Sequence, residues 1–287
     1  MQYVNIPRKE QIYFIKDAKN KLNTTWQEFA NALGVSLGMV YFYARGDSHL
    51  PLNSYLFLCN KMKIFPRRVP TVEISNKLKS VEFPIFCEKL AEFLGILAGD
   101  GHISADPYEV CVSLDKNSDK EYVPYVCQLF IDLFGLKPTL FNQQNVTKCR
   151  VYARDLVQHL TSRYGFVTGN KMNRLKIPKL VWRNDKYLAA YLRGFFDTDG
   201  SFHGRRKTDA VVEFISCDKK FLQELADALR SLDFKAGLSG KSIYIYAKKD
   251  IHRFFEIIRS SSPKNLKKYQ YYLENGRVPS SSEALIL

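Results

Sequence analysis

Apolar residues first recur at helical spacing between residues 24 and 60, TTWQEFANALGVSLGMVYFYARGDSHLPLNSYLFLCN. Trp26, Phe29, Ala30 and Leu33 share one face, Thr24 or Thr25 can cap it, and Gly34 ends it; Ser36 then caps a second helix through Tyr43. The order Ala30, Gly34, Val40 is a helix-turn-helix pattern. The alanine lets two helices approach, the glycine makes the tight turn, and the aliphatic residue seats the second helix. Residues 61–84 hold three prolines and a basic excess without clean periodicity, which predicts a linker.

Beyond the linker, two apolar runs end alike. FLGILAGDG (93–101) and LRGFFDTDG (192–200) align without a gap at an offset of 99, matching Gly95 with Gly194, Asp100 with Asp199 and Gly101 with Gly200. Each leads through a polar turn into an alternating strand, EVCVSL (109–114) or AVVEFIS (210–216), and then a helix, VPYVCQLFIDLFGL (123–136) or KKFLQELADALRSLDF (219–234). A further strand runs into another helix in CRVYARDLVQHL (149–160) and IYIYAKKDIHRFF (243–255). Period-2 and period-3.6 patterns in the same order twice predict an α+β protein built by internal duplication. The domains expected are a small all-α helix-turn-helix domain (1–65), a basic linker (66–84) and two repeats (85–182 and 183–287).

A glycine inside a helix costs about 0.5–1 kcal/mol relative to alanine, so two at matching positions need a compensating benefit, and close backbone approach supplies one. Gly95 and Gly99 have small-x-x-x-small spacing, with Gly194 and Thr198 as their counterparts. Two such helices packed about a pseudo-twofold axis would set Asp100 beside Asp199. Helix C-termini already carry free carbonyls and negative partial charge, so paired carboxylates there call for a cation. Oxygen-only ligands suit a hard divalent ion, Mg²⁺ above all or Mn²⁺.

Charge adds the partner. The chain of 287 residues carries 43 Lys and Arg against 29 Asp and Glu, a net +14 that favours polyanions such as nucleic acid. Residues 1–80 hold 12 basic and 5 acidic residues and residues 81–287 hold 31 and 24, +7 in each part, so the excess is not confined to a tail. Paired metals beside a basic surface point to phosphodiester hydrolysis. The six cysteines (59, 87, 111, 127, 149, 217) form no C-x-x-C pair and read as reduced thiols of a cytoplasmic protein, or an organellar-matrix protein if organelle-encoded. No apolar run approaches the ~18 residues that span a bilayer, and MQYVNIPRKEQ lacks a signal-peptide core.

The pair of runs resembles the LAGLIDADG homing endonucleases in their monomeric two-repeat form, over about residues 86–275. LRGFFDTDG fits that family's pattern closely; FLGILAGDG has Ala98 where the pattern usually has an acid, which is not the catalytic one, so Asp197, its counterpart, is assigned a structural role. The resemblance implies an αββαββα unit in each half and a saddle of two sheets along a long, near-asymmetric double-stranded DNA site. It implies that the acids Asp100 and Asp199 each serve one strand in a staggered cut with 3′ overhangs, that the carbonyls of Gly99 and Thr198 help hold the metals, and that a basic residue acts late in each repeat. The matching A-R and A-K steps make Arg154 and Lys248 candidates, with Lys249 a rival and a solvated surface charge the alternative. Candidate DNA contacts are Arg150, Arg205, Arg206, Lys207, Lys264, Lys267 and Lys268, with Ser36, Tyr41 and Arg45 on the second N-terminal helix, which either reads bases or only packs and grips backbone. The competing reading is a DNA-binding regulator or intron-splicing maturase on the same saddle; two unscreened carboxylates facing a phosphate backbone favour cleavage.

Overall fold

A computed structural model describes residues 2–66, 71–73, 81–204, 209–280 and 283. The chain divides into two units, Met1–Leu78 and Lys79–Leu287. In the first, β1 (Gln2–Val4) leads into α1 (Arg8–Lys21), α2 (Trp26–Leu33), α3 (Leu37–Arg45) and α4 (Leu52–Lys61), and β2 (Thr71–Glu73) returns to pair antiparallel with β1. Thr25 and Glu28 form a capping box at the start of α2, and Gly34 stops that helix in the left-handed region at φ 66°. Ser36 caps α3 by accepting from the Met39 N–H. Ala30 and Val40 are buried in one cluster with Ile15, Phe29 and Leu58.

Here the structure departs from the sequence reading. The first unit is not all helical, and the stretch 66–84 is not wholly a linker, because β2 lies inside it and closes a two-stranded sheet with β1. α1 escapes the periodicity because a polar residue, Gln11, shares its buried stripe with Ile15 and Ala18. The Gln11 amide donates to the carbonyls of Tyr43 (3.0 Å) and Ser48 (2.8 Å), which removes the cost of burying it.

The second unit contains the duplication. Its first copy runs α5 (Glu88–Gly99), β3 (Gly101–Ile103), β4 (Glu109–Asp115), α6 (Val123–Phe134), β5 (Thr139–Gln143), β6 (Val146–Tyr152) and α7 (Arg154–Tyr164). A single 3₁₀ turn, Val181–Arg183, precedes the second: α8 (Asp185–Asp199), β7 (Gly200–Gly204), β8 (Ala210–Ile215), α9 (Lys219–Ser231), β9 (Gly237–Ser239), β10 (Ser242–Ile245), α10 (Lys248–Ile257) and α11 (Pro263–Asn275). Each copy is αββαββα, the second with α11 added at its end, and each forms a four-stranded antiparallel sheet, in the orders β3-β4-β6-β5 and β7-β8-β10-β9. The alternation in β4 sends Val110, Val112 and Leu114 into the core, and in β8 Val212 and Phe214 do the same; one core cluster draws on both copies. No helix among the described residues is long and apolar enough to cross a membrane.

α5 and α8 cross at the centre of this unit. α5 is buried from Leu90 to Gly99, which is why its sequence is apolar on all sides. Gly95 lies against the Tyr191 carbonyl and Gly194 against the Glu92 carbonyl, so a Cβ on either would overlap backbone of the other helix. Glu92 and Tyr191 are themselves counterparts at the offset of 99, so the contact is reciprocal, as a pseudo-twofold axis requires. Glu92, 1 % exposed, is the polar exception on α5. Its carboxylate accepts from Arg193 Nη2 of α8 (2.7 Å) and from the Tyr125 hydroxyl (2.8 Å). A buried charge is tolerable only when paired and hydrogen-bonded in this way.

Candidate active site

The crossing brings the C-terminal ends of α5 and α8 together. Gly99 is so close to Thr198 that a Cβ would collide with the threonine hydroxyl, which itself donates back to the carbonyls of Gly194 (3.1 Å) and Phe195 (3.0 Å). Asp100 is the first residue past α5 and Asp199 the last of α8. Gly101 and Gly200 follow because the chain turns back onto its own helix: a Cβ at either would strike the backbone of Leu97 or Phe196.

Burial pushes the Asp100 carboxyl up to about 7, with the Asp199 and Asp119 carboxylates adding to the shift and Lys171 and Lys264 opposing it. Burial likewise raises Asp199, opposed by Lys171. A raised carboxyl favours the fold when protonated. The contribution of Asp100 is therefore full below its ordinary value of 3.8 and is lost as pH rises through about 7. In metal-free buffer, thermal stability is expected to fall across that window, and Asp100→Asn should flatten the fall and leave the variant more stable than the native chain at pH 8, by a few kcal/mol at most. Thermal unfolding followed by circular dichroism between pH 4 and 8 checks this; a native-like slope in the variant would contradict it.

Two lysines act on these acids: Lys171, which sequence reasoning missed, and Lys264, which it placed among the DNA contacts. Lys171, on the segment after α7, donates from Nζ to the carbonyls of Ala98 (2.9 Å) and Gly101 (2.9 Å) and to that of Gly99. It thereby neutralises the unpaired carbonyls and negative end of α5. Burial lowers its pKa, and Asp199 and Asp100 resist that shift. Lys264, in the first turn of α11, donates to Asp119 Oδ1 at 2.6 Å. Burial also lowers Lys268, one turn further on. The two lysines share a spacing: Lys171 stands seven residues after Tyr164, the end of α7, and Lys264 seven after Ile257, the end of α10. Counting from the end of the helix that follows each sheet, α7 or α10, is the signal that could have paired them.

The predicted basic residues lie elsewhere. Arg154 opens α7 with its guanidinium 5.7 Å from the Tyr108 ring, and Lys248 opens α10; both are exposed, and neither is among the charges acting on Asp100 or Asp199. The A-R and A-K steps repeat because Ala153 and Ala247 occupy the N-cap positions of equivalent helices. Among the expected DNA contacts, Arg150 lies on β6 with its guanidinium 4.3 Å from the Phe141 ring centre, and Lys267 pairs with Glu121 at 3.2 Å. Lys264 pairs with Asp119 in the turn before α6, and Lys268, one turn further along α11, also feels that carboxylate. Arg205, Arg206 and Lys207 lie outside the described residues. On the N-terminal unit, the Ser36 hydroxyl is engaged in capping, Tyr41 is exposed against Trp26 at 5.9 Å, and Arg45 pairs with Asp47 at 3.2 Å.

The donor set fits a hard cation. Two carboxylates and the helix-end carbonyls offer only oxygen, and Lys171 already places a cation on three of those carbonyls. Among the described residues no three or more His, Cys, Asp or Glu side chains converge as a ready-made metal cluster.

Paired helices over two antiparallel sheets, with an acid at each helix end, match the architecture that the LAGLIDADG resemblance implies. Residues 186–259, within the second repeat, match the family model of the LAGLIDADG-like domain. In sequence the chain is 26 % identical over 217 residues to the replication factor C small subunit of Methanocaldococcus jannaschii, a match that takes in 70 % of this chain and 11 % of that protein. The chain thus spans about a tenth of the length of that curated relative. Among solved structures it is similar to the homing endonuclease I-WcaI bound to its DNA recognition sequence (TM-score 0.48, 16 % identity, 65 % of this chain and 88 % of that one). It is also similar to full-length DUF199/WhiA from Thermatoga maritima (TM-score 0.45, 15 % identity, 71 % and 66 %).

Proposed function

We propose that this protein is a site-specific endonuclease that hydrolyses both strands of double-stranded DNA with a divalent metal, in a staggered cut leaving 3′ overhangs. The observation that carries the reading is the meeting of Asp100 and Asp199 at the reciprocal crossing of α5 and α8, both half-buried, with the charges of Lys171 and Lys264 acting on them. In this reading Asp100 and Asp199, with the carbonyls of Gly99 and Thr198, hold Mg²⁺ or Mn²⁺, one acid serving each strand. When bound, the metal supplies Lewis-acid neutralisation of phosphate charge and acidifies the attacking water. Lys171 and Lys264 take the part assigned from sequence to Arg154 and Lys248. They bring positive charge to the phosphate that gains negative charge in the transition state, and the Gly99 carbonyl, to which Lys171 now donates, would be one of the oxygens that hold the metal. The two sheets present their outer faces, Arg150 included, to a long asymmetric site; the N-terminal unit adds contacts through α3, and the protein acts as a monomer.

A second reading, a regulator or maturase that binds DNA without cutting it, is favoured by one observation: the Lys171 ammonium sits where the first reading needs metal. Selection of cleaved sites from a random duplex library with Mg²⁺ separates the two. Recovery of one long consensus supports the nuclease, whereas retention of DNA with every duplex intact refutes it.

A further inference from the structure

Asp197 is the acid that the first copy lacks, and it is 2 % exposed. Every acceptor position of its carboxylate is used by one short segment. Ser260 Oγ and the Asn265 amide (3.1 Å) donate to Oδ1, and the backbone N–H groups of Ser261 (2.7 Å) and Ser262 (3.2 Å) donate to Oδ2. Ser262 is the N-cap residue of α11, yet its side chain makes no cap bond. The carboxylate from α8 therefore fixes the entry to α11 from outside the helix. Two residues past that cap, Lys264 is held on Asp119 at 2.6 Å, where its charge acts on Asp100. Asp197 also stands two residues before Asp199 on the same helix, so one rigid element carries an acid of one centre and the anchor for the lysine of the other. In the first copy Ala98 occupies the equivalent position, and Lys171 is instead held directly by the carbonyls at the end of α5.

We propose that Asp197 is a positioning residue for one of two cutting centres: its buried carboxylate locks residues 260–265 and so holds Lys264 beside Asp100. The inference rests on the reading of Asp100 and Asp199 as acids that each serve one strand. A residue that only stabilised the fold would slow both strands alike. One that positions Lys264 slows the strand served by Asp100 and turns a double-strand cutter into a nickase.

The test uses the full chain on supercoiled plasmid bearing its selected site, with each strand end-labelled. Asp100→Asn and Asp199→Asn identify which strand each acid serves. Asp197→Asn and Lys264→Met are then expected to slow the Asp100 strand at least about tenfold more than the other, with nicked circles accumulating. Asn265→Ala and Ser260→Ala, each removing one bond to Asp197 without changing charge, should show the same bias more weakly and keep the question decidable if Asp197→Asn does not fold. Amide hydrogen exchange of residues 260–266 in metal-free protein should rise in Asp197→Asn with α5 unchanged. Equal slowing of both strands in these variants overturns the inference while the nuclease stands; a native chain that cuts neither strand overturns the nuclease reading and this inference together.

Discussion

Asp199→Asn is expected to remove cleavage of the strand it serves by on the order of 10³-fold or more while DNA binding is kept or tightened. Asparagine preserves the shape of the side chain but cannot supply the charge that holds a divalent cation. At the same time it removes one of two carboxylates facing a phosphate backbone, so affinity in the absence of metal should rise. Asp100→Asn should do the same to the other strand, and the double variant should bind the selected site and cut neither strand. Gel-shift and end-labelled cleavage assays on the same DNA give both readouts. Cleavage at native rate by Asp199→Asn would end the proposed mechanism.

The second large effect is on the fold. Gly95→Ala and Gly194→Ala each place a methyl group where the facing helix has a backbone carbonyl, of Tyr191 and of Glu92 respectively. Helix propensity alone makes either change favourable by up to about 1 kcal/mol. The overlap acts against backbone, which cannot rotate aside, and is expected to win with a loss of roughly 4 kcal/mol or more. For a unit of this size that lowers its unfolding midpoint by about 10 °C or more. Gly237→Ala serves as the control, since a Cβ there meets only Tyr244 O at an ordinary 3.8 Å; it should stay within about 0.5 kcal/mol of the native chain. Calorimetry on the three variants decides the point. A gain in stability at Gly95 or Gly194 would mean that the helices do not cross as described.

The sequence made this crossing legible because its constraint is local: glycine and aspartate recur at fixed positions, and the alternating strands that follow share the offset of 99. What escaped depends on distance along the chain. β1 and β2 are three residues each and pair Tyr3 with Val72, so neither has enough periodicity to be seen alone. Lys171 stands 71 residues after Asp100, but Lys264 only 65 after Asp199, because the second copy is shorter between motif and lysine. Arg154 and Lys248 are also unequally spaced from the motif, 54 and 49 residues after its acids, but the A-R and A-K steps make them visible because they begin equivalent helices, whereas no such local match surrounds Lys171 and Lys264. Asp119 gave no signal at all, since its importance comes only from the lysine that reaches it from α11.

The Glu92 and Arg193 pair has a consequence for the ancestry of the two halves. Arg193 has Leu94 as its counterpart in the first copy, and Glu92 has Tyr191 in the second. If two first copies met through their α5 helices, each would bury a glutamate opposite leucine, with no guanidinium to receive it. If two second copies met, each would bury an arginine without its acid. An unpaired charge in such a place costs about 3–5 kcal/mol, so the one ion pair at the crossing rewards the mixed assembly and penalises both homodimers. The two halves are complements of each other, and their preference for the mixed pairing is written into two side chains.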